Sequence, residues 1–172
     1  ESPVDVDEYA SCILQAMGNR PHKLLFEPGR VFVGNAGILL TRATTLKENG
    51  GKNYVVVDAA MNDLIRPALY QAWQRIETVA QANTELKTVD IVGPVCESSD
   101  FLGKDRQLSV EEGDLLAIHS SGAYGFAMSS NYKSRNGAAE IIVSGNEAYC
   151  VRKRETIADQ LRLESVLPID SY

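Results

Sequence analysis

A thiol and a carboxylate stand next to each other in the segment GPVCES, residues 93–98. The thiol of Cys96 can donate a proton, and the carboxylate of Glu97 can bind an ammonium group. A single cysteine is more often a small, unreactive hydrophobic residue, so this loop alone does not establish a catalytic site. Cys96 and Glu97 are nevertheless candidates for a catalytic or binding role.

Residues 27–30, EPGR, form a second candidate because they directly follow the apolar run LLF at 24–26. If that run is a buried strand, the turn lies at its C-terminal end, where a glycine and its backbone amide can approach a phosphate group. A tight turn that only ends the strand would explain the tetrapeptide equally well. The segment therefore predicts either a phosphate site or a plain turn.

Two tyrosines stand in contexts that suit ligand binding. Arg66 and Tyr70 are four residues apart, which places them on one face of a helix, where a guanidinium and a phenol could hold a carboxylate. Tyr124 lies between Gly122 and Gly125, which allow the backbone to come close to a ligand. The ordinary alternatives are a surface arginine stacked on an aromatic ring and a simple turn.

Other catalytic and binding signatures are absent from the sequence. There is no GxSxG or HExxH motif, and neither His22 nor His119 has metal-ligand spacing with another candidate, so we expect no metal site. The formal net charge is −6 without a dense Lys/Arg run, which disfavours nucleic-acid binding. The longest apolar run, residues 31–40, falls short of the roughly 20 residues that span a bilayer.

The three cysteines are far apart and form no CxxC pair, which argues against a disulfide framework. The first ten residues do not have the pattern of a secretion signal. We therefore expect a soluble protein of the cytoplasm with no membrane partner.

The elements that would position these residues change in type near residue 37. Asp5 and Glu8 form a capping box that predicts a helix at 5–17, and a buried strand is predicted at 23–27. A single helix–strand unit cannot complete a parallel sheet. Residues 1–36 are therefore expected to belong to a larger α/β unit that continues upstream.

Beyond residue 37 the pattern predicts a domain built mainly from β-strands, of barrel or sandwich type. The clearest feature is a hairpin of strands 38–46 and 52–57 around the turn Asn49-Gly50-Gly51. Further strands are predicted at 74–80, 86–92, 114–119, 138–143 and 147–153, the last two joined by a turn at 144–146. Helices are predicted at 62–73 and 154–164.

In this order and spacing, the segments resemble the fold-type III pyridoxal-phosphate-dependent decarboxylases, and among these most closely the diaminopimelate decarboxylases. The resemblance covers nearly the whole chain and runs through EPGR, VVVDAAMNDLIRPALY, VGPVCESSDFLGKDR, GDLLAIHSSGAYGFAMSSNY and VRKRET. Departures are few. Ser99 stands where the family usually has Gly, and Lys133 and Asn136 stand in a stretch that usually reads NYNSRP.

The resemblance implies a mainly β fold, with a Greek-key β-barrel or sandwich-like C-terminal domain at residues 37–172. The last helix–strand unit of a TIM-type barrel would precede it at residues 1–36. In such enzymes the barrel holds pyridoxal 5'-phosphate on a lysine in a YAxKAN-type motif, and no lysine here has that context. The chain by itself is therefore expected to be inactive. The family also implies a homodimer in which the Cys96 loop enters the other subunit's site.

The resemblance further implies a role for each candidate residue. Cys96 would be the catalytic residue that supplies a proton after decarboxylation of meso-2,6-diaminopimelate to L-lysine. Arg66 and Tyr70 would bind the distal carboxylate of this amino-acid substrate, and Glu97 its distal ammonium. The residues that would bind the cofactor are Glu27, Pro28, Gly29, Arg30 and Tyr124, of which Arg30 and Tyr124 would also reach the substrate.

Three alternatives fit parts of the same pattern. Decarboxylases of ornithine, arginine or carboxynorspermidine share the architecture, although the ornithine type usually has Cys-Asp in place of Cys96-Glu97. Decarboxylases of D-ornithine or D-lysine are harder to separate by sequence. A noncatalytic binding or regulatory homologue would be expected to lose the proton donor or the cofactor turn, and both are retained here.

Overall fold

Two β-sheets and three α-helices make up the described part of this computed structural model, residues 4–80 and 85–168. One sheet has six strands and contains the main hydrophobic core, and the other is a two-stranded hairpin. Within these residues, no helix has the length and apolar character needed to cross a membrane. The structure is mainly β, as the sequence predicts.

The first helix begins and ends where the sequence predicts. Helix α1 spans Val6–Met17, and the carboxylate of Asp5 accepts hydrogen bonds of 3.0 Å from the backbone N–H groups of Asp7 and Glu8. The chain leaves the helix at Gly18, whose φ of 56° lies in the left-handed region that favours glycine. The local signals at the two ends therefore determine this helix.

The predicted strand at 23–27 is wrong, because the chain has no strand structure between α1 and the turn at 27–30. Leu25 is 82% exposed and Phe26 is 53% exposed. A buried parallel strand needs hydrogen-bonded neighbours on both edges, and the described residues supply none to this segment. Phe26 packs instead against Tyr9 of α1, with their ring centroids 6.5 Å apart.

The predicted hairpin is confirmed. Strand β1 spans Leu39–Asn49 and strand β2 spans Lys52–Val57, paired antiparallel. The two residues between them, Gly50 and Gly51, have φ values of 60° and 78°. Two consecutive positive φ angles are what a two-residue hairpin turn requires, and glycine adopts them without steric cost.

Four more strands complete the main sheet in the order β3-β6-β1-β2-β4-β5. They are β3 (Ile76–Thr78), β4 (Lys87–Val92), β5 (Phe101–Leu108) and β6 (Leu115–Ile118). All neighbouring pairs are antiparallel except β2 and β4. The predicted strands at 74–80, 86–92 and 114–119 are thus present, the first only as the short strand Ile76–Thr78, and β5 was not predicted from the sequence.

The two end strands of this order approach each other, so that the sheet nearly closes into a barrel. A Cβ atom added at Gly103 of β5 would lie 2.7 Å from Cδ1 of Ile76 in β3. Gly103 is followed by three charged residues, which is why β5 does not show the alternation typical of a strand. The absence of a side chain at Gly103 allows the two strands to pack closely.

Aliphatic side chains from all six strands fill the interior of the sheet. These side chains belong to Ala43, Val55, Val57, Ile76, Val89, Ile91, Leu102, Leu108, Leu116 and Ile118. Leu64 enters the same core from the connection that follows β2, and it is fully buried. Burial of a leucine contributes roughly 1.5–3 kcal/mol, so this contact anchors the connection to the barrel.

The two helices predicted after residue 37 are both present but shorter than expected. Helix α2 spans Arg66–Tyr70 rather than 62–73, and it ends at Gln71 with a left-handed φ of 53°. Helix α3 spans Ile157–Leu161 rather than 154–164. It is capped by Thr156, whose hydroxyl accepts the N–H of Asp159.

Strands β7 (Glu140–Ser144) and β8 (Glu147–Arg152) form the separate hairpin, as the predicted strands 138–143 and 147–153 require. Gly145 in the turn has a φ of 60°. Apolar residues of this hairpin are exposed, among them Val143 at 70% and Val151 at 56%. The hairpin therefore adds little apolar burial of its own.

We expect the segment 4–36 to exchange its amide hydrogens faster than the β-domain that follows. No residue of α1 is buried, whereas β6 contributes Leu116 and Ile118 to the core. Residues 1–3 of the predicted first unit, and residues 81–84 and 169–172 of the second, lie outside the described residues. Hydrogen exchange followed by mass spectrometry measures the difference, and equal protection of both parts in a demonstrated monomer would contradict it.

Candidate functional site

The turn at residues 27–30 lies directly beneath the hydroxyl group of Tyr124. A Cβ atom added at Gly29 would be 2.9 Å from this hydroxyl oxygen. The side chain of Arg30 folds over Gly34, where an added Cβ would be 2.8 Å from Cγ of the arginine. The structure thus brings together the predicted cofactor turn and the predicted tyrosine, although they are far apart in the sequence.

Backbone contacts position Tyr124 over this turn. The N–H of Gly122 donates to the carbonyl of Gly34 at 3.0 Å, and the N–H of Ser121 donates to the carbonyl of Gly37 at 2.9 Å. A Cβ atom at Gly122 would lie only 2.0 Å from the carbonyl oxygen of Val33. Glycine is therefore required here because the two backbone segments touch.

A buried glutamine supports the start of the Tyr124 loop. Gln74 is 1% exposed, and its Nε2 donates to the carbonyl oxygens of His119 at 2.8 Å and Ser120 at 3.2 Å. This residue was not predicted from the sequence. It lies next to Trp73 and Arg75, and no local pattern marks it as buried.

His119 itself has a structural environment. Its Nε2 lies 2.7 Å from Oε1 of Glu77 in β3, and Arg75 also contacts this carboxylate. The hydrogen bond from His119, followed by the one from Arg75, lowers the pKa of Glu77. Among the described residues, no group of three or more His, Cys, Asp or Glu side chains could hold a metal ion.

The loop that contains Cys96 and Glu97 is held by a buried carboxylate. Asp100 is 4% exposed, and it accepts the N–H of Val95 at 2.6 Å and the N–H of Met61 at 2.7 Å. Cys96 and Glu97 are exposed at the tip of this loop. No pattern in the sequence points to Asp100, although its carboxylate holds the candidate catalytic loop through these two hydrogen bonds.

Glu97 has a specific partner, Tyr132, that was not predicted from the sequence. The hydroxyl of Tyr132 donates a hydrogen bond to Oε1 of Glu97, and this bond to the carboxylate raises the pKa of Tyr132. The amide Nδ2 of Asn62 donates to the carbonyl oxygens of Tyr132 at 2.8 Å and Ser130 at 3.0 Å. Asn62 is 3% exposed, so it is a buried support for this tyrosine.

Arg66 and Tyr70 lie in α2, one turn apart, as the sequence predicts. Tyr70 is 59% exposed, whereas Arg66 is half-buried. Its Nη1 atom is buried and has no hydrogen-bond partner among the described residues. A buried cationic donor without an acceptor is costly, so this position suits an anionic ligand.

The connection after β2 links the candidate residues. Leu64 packs beside Gly125 of the Tyr124 loop, where an added Cβ would be 3.9 Å from its Cδ1. The same segment holds Tyr132 through Asn62 and leads into Arg66. Within the described residues, no hydrogen bond joins Glu97 directly to Tyr124. The structure therefore forms two groups, one at residues 27–30 and one at Glu97.

Comparison with known protein families identifies the type of domain. Residues 7–122 match the family described as pyridoxal-dependent decarboxylase, C-terminal sheet domain. This match extends over more than half of the chain and includes all the candidate residues from the 27–30 turn to Glu97, while Tyr124 follows two residues beyond it.

Curated relatives give a consistent result. The chain is 55% identical over 169 residues to a diaminopimelate decarboxylase of Vibrio cholerae and 52% identical over 168 residues to one of Pseudomonas fluorescens. Each alignment covers 98% of this chain and 40% of the relative. The chain thus spans about 40% of the length of these relatives.

Solved structures share the same architecture. A crystal structure of diaminopimelate decarboxylase from Helicobacter pylori complexed with L-lysine matches with a TM-score of 0.84 and 41% identity, over 95% of this chain and 41% of that chain. A lysine/ornithine decarboxylase from Vibrio vulnificus matches with a TM-score of 0.66 and 21% identity, over 78% of this chain and 37% of that one, which supports the fold alone.

Proposed function

Because this chain belongs to the pyridoxal-dependent decarboxylases, whose C-terminal sheet domain it contains, we propose that it is part of an enzyme that converts meso-2,6-diaminopimelate to L-lysine and carbon dioxide. The observation that carries the choice of substrate is the buried Nη1 of Arg66, which has no hydrogen-bond partner among the described residues, in a helix that places Tyr70 one turn further along. Diaminopimelate has a second carboxylate for such a site, and lysine and ornithine have none.

The residues around the 27–30 turn fit pyridoxal 5'-phosphate. Gly29 presents backbone without a side chain, the hydroxyl of Tyr124 lies above it, and the side chain of the neighbouring Arg30 folds over Gly34. Exposed amide groups and a guanidinium are the donors that a phosphate ester needs. When bound, this cofactor supplies an electron sink for the carbanion that remains after carbon dioxide leaves.

The substrate would be bound through the carboxylate and the ammonium group at its distal end. In this proposal Arg66 and Tyr70 bind the distal carboxylate, and Glu97 binds the distal ammonium. The contacts of Arg66 and Glu97 pair opposite charges, and Tyr70 donates from a neutral hydroxyl to a charged group. Hydrogen bonds that involve a charged group are roughly twice as strong as neutral ones. Arg30 and Tyr124 complete the contacts at the end nearest the cofactor.

Cys96 is proposed to supply the proton that replaces the lost carboxylate. The thiol is exposed at the tip of a loop whose backbone is fixed by Asp100. The family resemblance implies a homodimer in which Cys96 and Glu97 of one subunit act in the site of the other, and the exposure of this loop tip is compatible with such an arrangement. The free thiols of Cys12, Cys96 and Cys150 suit a reducing, cytoplasmic location.

The test is the activity of the complete enzyme that contains this chain. With pyridoxal 5'-phosphate it should form L-lysine and carbon dioxide from meso-2,6-diaminopimelate. The same assay should include ornithine, arginine, carboxynorspermidine, D-ornithine and D-lysine. A preference for any of these would replace the proposed substrate, and binding without turnover of any substrate would favour a noncatalytic homologue.

The chain by itself is expected to release no carbon dioxide above the background of free cofactor. Its residues can hold a substrate and supply a proton, but none of its lysines lies in the sequence context that holds the cofactor in this family. Incubation of the purified chain with pyridoxal 5'-phosphate and meso-2,6-diaminopimelate measures this directly. Turnover that depends on the chain, and that is lost when Cys96 is replaced by Ser, would overturn the expectation.

A further inference from the structure

Tyr132 is the one described residue whose side chain is hydrogen-bonded to Glu97. Its hydroxyl donates to Oε1, which leaves Oε2 of the carboxylate available to another donor. Among the described residues, no arginine or lysine forms an ion pair with Glu97. The carboxylate is therefore restrained by a neutral group that does not cancel its negative charge.

The backbone of Tyr132 is held by Asn62 and by the turn that follows it. Its carbonyl oxygen accepts the buried Nδ2 of Asn62 at 2.8 Å. The two residues after it, Lys133 and Ser134, have φ values of 59° and 55°, and the Nδ2 of Asn131 spans this turn to the carbonyl of Arg135 at 2.9 Å. Two successive left-handed residues without glycine are costly, so the fold holds this tyrosine in a strained turn.

We propose that Tyr132 is a positioning residue that fixes the Glu97 carboxylate for the distal ammonium of the substrate. The inference rests on the proposed function of Glu97 and adds a second residue to that site. An exposed glutamate samples many rotamers, and ordering such a side chain upon binding costs affinity. A hydrogen bond to one oxygen removes much of this cost in advance and leaves the other oxygen for the ammonium.

The kinetic test compares Tyr132→Phe, Glu97→Gln and the double variant in the complete enzyme with meso-2,6-diaminopimelate. Tyr132→Phe keeps the ring and removes only the hydroxyl. It should lower kcat/KM about tenfold, mainly through a higher KM, because one hydrogen bond to a charged group is lost. The double variant should be no worse than Glu97→Gln alone, since Tyr132 acts only through Glu97.

Tyr149 offers a matched control. Its hydroxyl also donates to a glutamate, Glu147, but on the exposed β8 strand of the separate hairpin. This bond also raises the pKa of Tyr149. Tyr149→Phe should leave kcat/KM unchanged. This result would show that the effect of Tyr132→Phe comes from the bond to Glu97 and not from the loss of any tyrosine–glutamate hydrogen bond.

A second readout does not depend on activity. Titration of labelled tyrosine ring carbons by NMR should show that Glu97→Gln lowers the pKa of Tyr132, because the carboxylate that stabilises its protonated phenol is gone. The pKa of Tyr149 should not move in this variant. If neither pKa changes, the hydrogen bond is absent and the inference is overturned.

The outcomes of the two proposals can be told apart. If Glu97→Gln leaves kcat/KM unchanged, the role of Glu97 in the proposed function fails, and this inference fails with it. If Glu97→Gln is strongly impaired and Tyr132→Phe impairs the enzyme by an independent, multiplicative factor, the role of Glu97 stands and only the positioning role of Tyr132 is wrong.

Discussion

Replacing Arg66 with Ala in the complete enzyme is expected to lower kcat/KM for meso-2,6-diaminopimelate about 100-fold, equivalent to about 3 kcal/mol. The substrate's distal carboxylate would lose a charge-assisted contact and would be left partly desolvated, with only the neutral hydroxyl of Tyr70 as a partner. Turnover of lysine as an alternative substrate should change little, because lysine has no distal carboxylate. The measurement is kcat/KM on both substrates for the wild type and the variant.

Arg66→Lys is the matched variant for this experiment. It keeps the positive charge but loses the planar pair of donors that fits a carboxylate. Its kcat/KM for meso-2,6-diaminopimelate should therefore lie between that of the wild type and that of Arg66→Ala. Stability should fall little in either variant, because Nη1 of Arg66 has no hydrogen-bond partner to lose among the described residues. Equal losses on diaminopimelate and lysine would instead assign Arg66 to the cofactor or to a subunit interface.

The second large effect is expected from Gly122→Ala, which should destabilise the Tyr124 loop by about 3 kcal/mol and weaken binding of pyridoxal 5'-phosphate. The new Cβ would lie 2.0 Å from the carbonyl oxygen of Val33 and 2.8 Å from the backbone nitrogen of Gly37. Both neighbours are backbone atoms, so the loop must move away and take Tyr124 with it. Thermal denaturation and cofactor titration of the complete enzyme measure the two consequences.

Gly137→Ala provides the control, since the nearest atom to its added Cβ would be Oε2 of Glu155 at 3.5 Å, an ordinary contact. This variant should keep both its melting temperature and its cofactor affinity. If Gly122→Ala behaved in the same way, the close packing of the Tyr124 loop on residues 33–37 would not be needed to position the tyrosine.

Several elements could be predicted because their signals are local. Three such signals involve residues only a few positions apart in the sequence. They are the helix cap at Asp5, the Gly50-Gly51 turn and the spacing of Arg66 and Tyr70. The strand predicted at 23–27 was wrong for the opposite reason, since an apolar run becomes a buried strand only where neighbouring strands exist to pair with it. Strand β5 was missed because its burial follows from barrel closure at Gly103 and not from an alternating pattern.

The sequence by itself determined the family, the mainly β character of the domain and the residue types available for chemistry. It could do so because each motif and each strand pattern consists of residues that are close together in the chain. Only the tertiary structure decided how those residues are held. Asp100 fixes the Cys96 loop through Met61, 39 positions away, and Tyr132 reaches Glu97 across 35 positions. Such contacts arise when the barrel folds and brings distant segments together, and no local pattern of residues encodes them.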